Sequence, residues 1–200
     1  MIRLFVALAL PPSIIDALGG LAEGVPGARW LRDDQMHLTL RFIGEVDHAT
    51  FEEVVHALGE VEADAFEMAV AGVGHFPPRG PPKLLWAGVR PNPALNLLQS
   101  RIESALGRAG LKPEGRNFSA HITLARLNGS PVERVQTYLA RHALFAAPPF
   151  MVEAFHLYSS RLSRDGSLYT IEASYPLRGG YDFEHDWDEE EDEAGVLRSD

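Results

Sequence analysis

The chain has 200 residues, 46% of them hydrophobic and 23% charged, with a formal net charge of −10 and no cysteine. That composition fits an ordinary globular chain, and the length suits one sizeable domain. The lack of cysteine excludes disulfides, Cys-based zinc sites and thiol catalysis, and makes a reducing cytoplasm the expected setting.

Residues 2–9 form an apolar run that ends at Pro11-Pro12 without a small-residue cleavage pattern. The run reads as a buried strand, not a signal peptide. No stretch approaches the ~18–20 apolar residues of a spanning helix, so no membrane association is expected. Ile14, Ile15, Leu18 and Leu21 then predict a helix over 12–22, and a strand follows over 36–43. Asp47 caps a helix over 48–62 with Phe51, Val54, Val55 and Leu58 on one face. Strands over 66–74 and 84–89 lead to Asn92-Pro93, which opens a helix over 93–109. After a strand over 119–126, Ser130 and Glu133 form a capping box for a helix over 131–142. Strands over 150–159 and 168–175 complete the body. Residues 182–200 hold ten acids and one base, so the preceding 181 residues carry only −1. The acidic run reads as a solvated tail, and a near-neutral body can present a local basic cleft.

The elements repeat. The first unit opens with a strand at residue 2 and reaches His37; the second opens at Leu84 and reaches His121. The expected fold is α+β and bilobal, with two pseudo-symmetric β-α-β-α-β units whose antiparallel-rich sheets face a shared cleft. Residues 1–180 form one domain, with lobes over roughly 1–80 and 81–180 and termini free to cross between them. Residues 181–200 form the tail.

Each unit places a His-x-Thr-Leu motif on its second strand: His37-Leu38-Thr39-Leu40 and His121-Ile122-Thr123-Leu124. Side chains alternate across a strand. Leu38, Leu40 and Phe42 therefore face the core, and His37, Thr39 and Arg41 face the cleft. Ile122 and Leu124 face the core, and His121 and Thr123 the cleft. Two imidazoles in one cleft can serve as general base and general acid, because an unperturbed histidine titrates near neutral pH. The Thr39 and Thr123 hydroxyls can donate to phosphoryl oxygens. A phosphodiester suits this set, and the chemistry needs no metal or other cofactor. Pseudo-symmetry leaves open which histidine is the acid.

The remaining histidines, 48, 56, 75, 142, 156 and 185, show no metal-ligand spacing. Gly72-x-Gly74 lacks the rest of a phosphate loop. Phe5 reads as core, with base stacking as the alternative. Arg126 would point into the core by strict alternation, so the strand is expected to end, twist or bulge before it.

Several blocks together resemble the two-histidine phosphoesterase superfamily, and within it the RNA 2′,3′-cyclic phosphodiesterases, also called 2′-5′ RNA ligases. They are Arg3-Leu4-Phe5-Val6-Ala7-Leu8, His37 through Val46, Gly72-Val73-Gly74-His75-Phe76-Pro77, Leu85-Trp86-Ala87-Gly88-Val89, Phe118 through Arg126, and Tyr175-Pro176-Leu177. The resemblance covers about residues 1–178. Ala120 departs from it, since proline commonly precedes the second histidine. The resemblance implies hydrolysis of RNA ends or nucleotides bearing a 2′,3′-cyclic phosphate to 2′-phosphomonoesters. His37 would be the proton donor and His121 the proton acceptor. Thr39 and Thr123 would bind the phosphate, and Arg126, where the family's second motif commonly ends in arginine, would contact substrate. Arg41, on the cleft face with His37 and Thr39, is a further expected substrate contact, and a monomer is expected. The rival readings are 2′-5′ RNA ligation at the same site, a non-catalytic RNA-end binder, and a superfamily member with another phosphodiester substrate.

Overall fold

A computed structural model describes residues 1–163 and 166–179. The acidic tail expected over 181–200 lies outside the described residues.

The first unit runs β1 (Ile2–Leu8), α1 (Pro12–Gly19), β2 (Ala28–Trp30), β3 (Leu38–Val46) and α2 (His48–Gly59). β4 (Phe66–Met68) and β5 (Val70–Phe76) follow. The second runs β6 (Leu84–Val89), α3 (Pro93–Arg108), β7 (His121–Leu127) and α4 (Val132–Arg141), then β8 (Phe150–Val152), β9 (Ala154–Ser163) and β10 (Gly166–Pro176). The α+β class, the four helices and the antiparallel pairing match expectation. The three-residue strand β2 was not anticipated, because so short a segment has no period to read.

Asp47 and Asn92 cap α2 and α3, accepting from the amides of Thr50 and Leu95. The capping box at Ser130 does not form. Pro131 occupies the cap position with extended backbone and no side-chain cap, so Ser130 sits one residue too early to reach the third helical amide.

Seven strands lie in the order β10-β9-β1-β3-β7-β6-β5, with β2 beside β7; β4 and β8 form a separate ribbon. The order is symmetric about the β3–β7 contact. β1 and β6 flank it, then β9 and β5, with β10 as an extra edge strand. The third long strand of each unit is exchanged: β5 pairs with β6, and β9 pairs with β1. The lobes therefore do not correspond to residues 1–80 and 81–180. β3 and β7 meet at a single register pair, Leu38 opposite Ile122. One core cluster spans both halves and joins Leu38, Leu40, Ile122 and Leu124 to Ile14 and Leu18 of α1, Val54 and Leu58 of α2, and Leu98 and Ile102 of α3. No helix among the described residues is long and apolar enough to cross a membrane.

The two motif strands share a β-bulge. Thr39 pairs with Ala7 and Arg41 with Val6, so Leu40 is the extra residue in β3. Thr123 pairs with Trp86 and Ala125 with Leu85, so Leu124 is the extra residue in β7. A bulge sets two consecutive side chains on one side. Leu40 and Arg41 are both buried, as are Leu124 and Ala125, and the next residues, Phe42 and Arg126, emerge on the cleft face.

This overturns two expectations. Phe42 is not core; it is 61% exposed. Arg41 is not a substrate contact; it is 7% exposed and points away from the cleft. Its guanidinium meets Glu114 at 3.2 Å and donates to the carbonyls of Phe42 and Lys112. Nε lies 2.6 Å from Glu103 Oε2 without hydrogen-bond geometry, so that contact is Coulombic. A buried charge needs such partners.

Candidate active site

His37 immediately precedes β3 and His121 opens β7, so both stand beside the Leu38–Ile122 pair. The backbone orients both rings in the same way. His37 Nδ1 lies 2.9 Å from the Gln35 carbonyl, and His121 Nδ1 lies 2.7 Å from the Ser119 carbonyl. A carbonyl only accepts, so each Nδ1 carries the proton and each Nε2 is left for the cleft.

Aromatic rings brace the imidazoles. His37 lies 4.8 Å from the Phe5 ring and edge-on to Tyr169 at 5.1 Å. Phe5 stacks on Tyr158 at 5.1 Å and is buried, as a core phenylalanine should be. On the other side Phe76 meets His121 edge-on at 5.1 Å and is backed by Trp86 at 5.5 Å. Trp86 in turn lies flat over Gly74, where a Cβ would fall 2.1 Å from Trp86 Cζ2. Burial holds His37 well below the ordinary histidine range, at about 4; the neighbouring His121 lowers it further, and the Gln35 carbonyl partly opposes this.

The two motifs line one cleft of about 600 Å³ that takes in His37, Thr39, His121 and Thr123. Arg126 is there too, released by the bulge at Leu124. Arg29 of β2 is its direct cross-strand partner and also lines the cleft. Arg3 adds a third guanidinium, and none of the described lining residues is acidic. The β9–β10 hairpin forms one wall through Ser160, Leu162, Ser167 and Tyr169. Gln35 ties that wall to the segment preceding His37, donating to the Ser167 carbonyl at 2.9 Å. Among the described residues no group of three or more His, Asp or Glu side chains could hold a metal ion.

Sequence reasoning missed Arg3, Arg29 and Phe42 as cleft residues. Arg3 was legible, because it alternates with Phe5 on one strand face. Arg29 was not, because its strand is three residues long.

A cationic cleft between two strands carrying matched His-x-Thr pairs defines a phosphoesterase of the two-histidine kind. The chain belongs to the LigT-like phosphoesterase family, whose model matches residues 8–86 and 89–169, with one motif in each stretch. It is 33% identical over 188 residues to a Thermus thermophilus protein named RNA 2′,3′-cyclic phosphodiesterase, covering 88% of this chain and 91% of that one. Its fold is similar to crystal structures of E. coli LigT. The apo form has a TM-score of 0.72 at 26% identity, covering 88% of this chain and 97% of the other. The complex with 3′-AMP has a TM-score of 0.70 at 26% identity, covering 88% and 98%.

Proposed function

We propose that the protein hydrolyses the 2′,3′-cyclic phosphate of RNA ends or nucleotides to a 2′-phosphomonoester, by general acid–base catalysis that needs no metal. The observation that carries this is the cleft itself. Two backbone-oriented imidazoles and two threonine hydroxyls converge there with three arginines and no acid among the described lining residues, in a chain of net charge −10. Such a site favours an anion and offers a proton acceptor and a proton donor around it. Relatives named for this activity, and the LigT family membership, support the same reading.

His121 Nε2 takes a proton from water, and the water oxygen bonds to phosphorus. The P–O3′ bond breaks, and His37 Nε2 gives its proton to O3′. Thr39 and Thr123 donate to the non-bridging oxygens, and Arg126 offsets their charge. In the empty cleft burial keeps His37 neutral at pH 7. The bound phosphodiester anion reverses that balance, because an opposite charge within hydrogen-bond reach favours the imidazolium. Every group used comes from one chain, which suits a monomer.

Turnover of a 2′,3′-cyclic nucleotide in excess EDTA tests the reading. Activity should persist, and His37→Ala and His121→Ala should each lower it ~10²–10⁴-fold. Loss with EDTA, or full activity in both variants, would sink it. An aryl phosphodiester whose leaving oxygen needs no proton assigns the roles. His37→Ala should recover most activity on it and His121→Ala should not; the opposite pattern would exchange them.

A further inference from the structure

Gln35 is not a reacting group, yet every polar atom it owns is committed beside the cleft. Its carbonyl accepts from His37 Nδ1 at 2.9 Å. Its backbone amide donates to the Arg32 carbonyl at 2.9 Å. In the side chain, Oε1 accepts from the Arg32 amide at 3.2 Å, and Nε2 donates to the Ser167 carbonyl of β10 at 2.9 Å. A backbone amide only donates and a carbonyl only accepts, so these two partners fix which way the Gln35 side-chain amide points. Gly166 lets the hairpin come this close, because a Cβ there would fall 3.1 Å from Gln35 Nε2. The same strand sets Tyr169 edge-on to the His37 ring at 5.1 Å. Ser119 holds the equivalent place before His121, and among the described residues its side chain makes no such link.

Taking the phosphodiesterase reading as its basis, we infer that Gln35 is a positioning residue for His37: its side chain clamps the carbonyl that orients the proton-donating imidazole to the β9–β10 wall of the cleft. The Nδ1 contact fixes the ring only as firmly as the carbonyl itself is fixed. That carbonyl lies in the short link between the 3-10 turn Asp33–Gln35 and β3. Untied, the link is free to swing the carbonyl and the imidazole with it. Tied to Arg32 on one side and to Ser167 on the other, Gln35 opposes that swing. Proton transfer to O3′ needs this, because donor and leaving oxygen must meet within hydrogen-bond reach. The wall that borders the substrate therefore also aims His37, whereas His121 is held without it.

The test compares kcat on a 2′,3′-cyclic nucleotide with kcat on the aryl phosphodiester whose leaving oxygen needs no proton. Gln35→Met keeps the side-chain length and loses both of its hydrogen bonds. On the cyclic nucleotide kcat should fall about ten- to a hundredfold with KM little changed, the scale set by misplacing a reacting group by up to about 1 Å. On the aryl ester kcat should stay close to wild type. Gln35→Glu keeps the acceptor for the Arg32 amide but sets an oxygen against the Ser167 carbonyl, so it should show the same split. Equal losses on the two substrates would reveal a merely structural role, and an undiminished kcat on the cyclic nucleotide would show that the clamp aims nothing; either result overturns the inference. Thermal melting of each variant shows that the fold is kept, and if Gln35→Met does not fold, Gln35→Glu decides. Failure of the wild type on the cyclic nucleotide would overturn the phosphodiesterase reading instead, so the two failures are distinct.

Discussion

β3 and β7 are alike through the fourth residue of their motifs and diverge after it. Both present His and Thr to the cleft, fix the imidazole by a carbonyl two residues upstream, and bulge at a leucine. Beyond the bulge β3 buries Arg41 and exposes Phe42, whereas β7 buries Ala125 and exposes Arg126. The His-Thr pairs are duplicated and the flanking groups are not. A symmetric pair of imidazoles suffices to move protons both ways, while a nucleotide has distinct ends and needs unlike walls.

The largest expected effect concerns the duplicated part. His37→Ala and His121→Ala should each cost ~10²–10⁴ in kcat, and the double variant little more than the worse single one, since groups acting as a unit are not additive. A double variant that multiplies the two losses would show that the histidines work independently. Next is the core side of the β3 bulge. Arg41→Met leaves Glu103 and Glu114 facing an apolar chain, and their partial exposure, 27% and 34%, keeps the loss near the lower end for a broken buried pair, about 3 kcal/mol by urea unfolding. Glu103→Gln added to Arg41→Met should recover part of it.

The asymmetry in protonation gives a smaller effect. On the proposed mechanism His37 takes up a proton as the anion binds, because burial holds it at about 4 in the empty cleft and an adjacent anion raises it. Affinity of the inactive His121→Ala protein for uridine 2′,3′-cyclic phosphate should therefore tighten as pH falls from 7 towards 5, by up to about tenfold per unit, and level off below 4. Isothermal titration in that range checks it, and pH-independent binding would place the proton elsewhere. The smallest contrast lies between α3 and α4, the helices that follow the first and second strands of the second unit. Asn92→Ala should cost about 1 kcal/mol in thermal unfolding, whereas Ser130→Ala should cost almost nothing, because only Asn92 caps its helix.

The sequence made the symmetric features legible. Two motifs at equivalent places, helix caps at Asp47 and Asn92, and apolar helical stripes are all local signals. The bulges were harder. Leu40-Arg41-Phe42 reads as simple alternation, and what inverts it is a pair of acids more than 60 residues further along the chain. Arg126 revealed its bulge because a lone arginine on a core face was untenable, but Arg41 fell on the polar phase and raised no such conflict. The strand exchange was hidden for a different reason. An alternating segment says which face it buries but not which neighbour it joins, so β5 and β9 could have closed their own units.

The single Leu38–Ile122 pairing between β3 and β7 has a mechanical consequence. The sheet is continuous there but narrow, and the strands splay from that point. Any breathing of the two halves pivots about it. Because each histidine is the residue next to the pivot, their separation changes little as the groove opens. Phe42 and Arg126 lie several residues out along the arms and would be displaced more than the histidines. Were the two halves to part about this pair, the mouth would widen while the distance between the histidines stayed nearly constant, much as the blades of a pair of scissors part while the metal at the rivet scarcely moves.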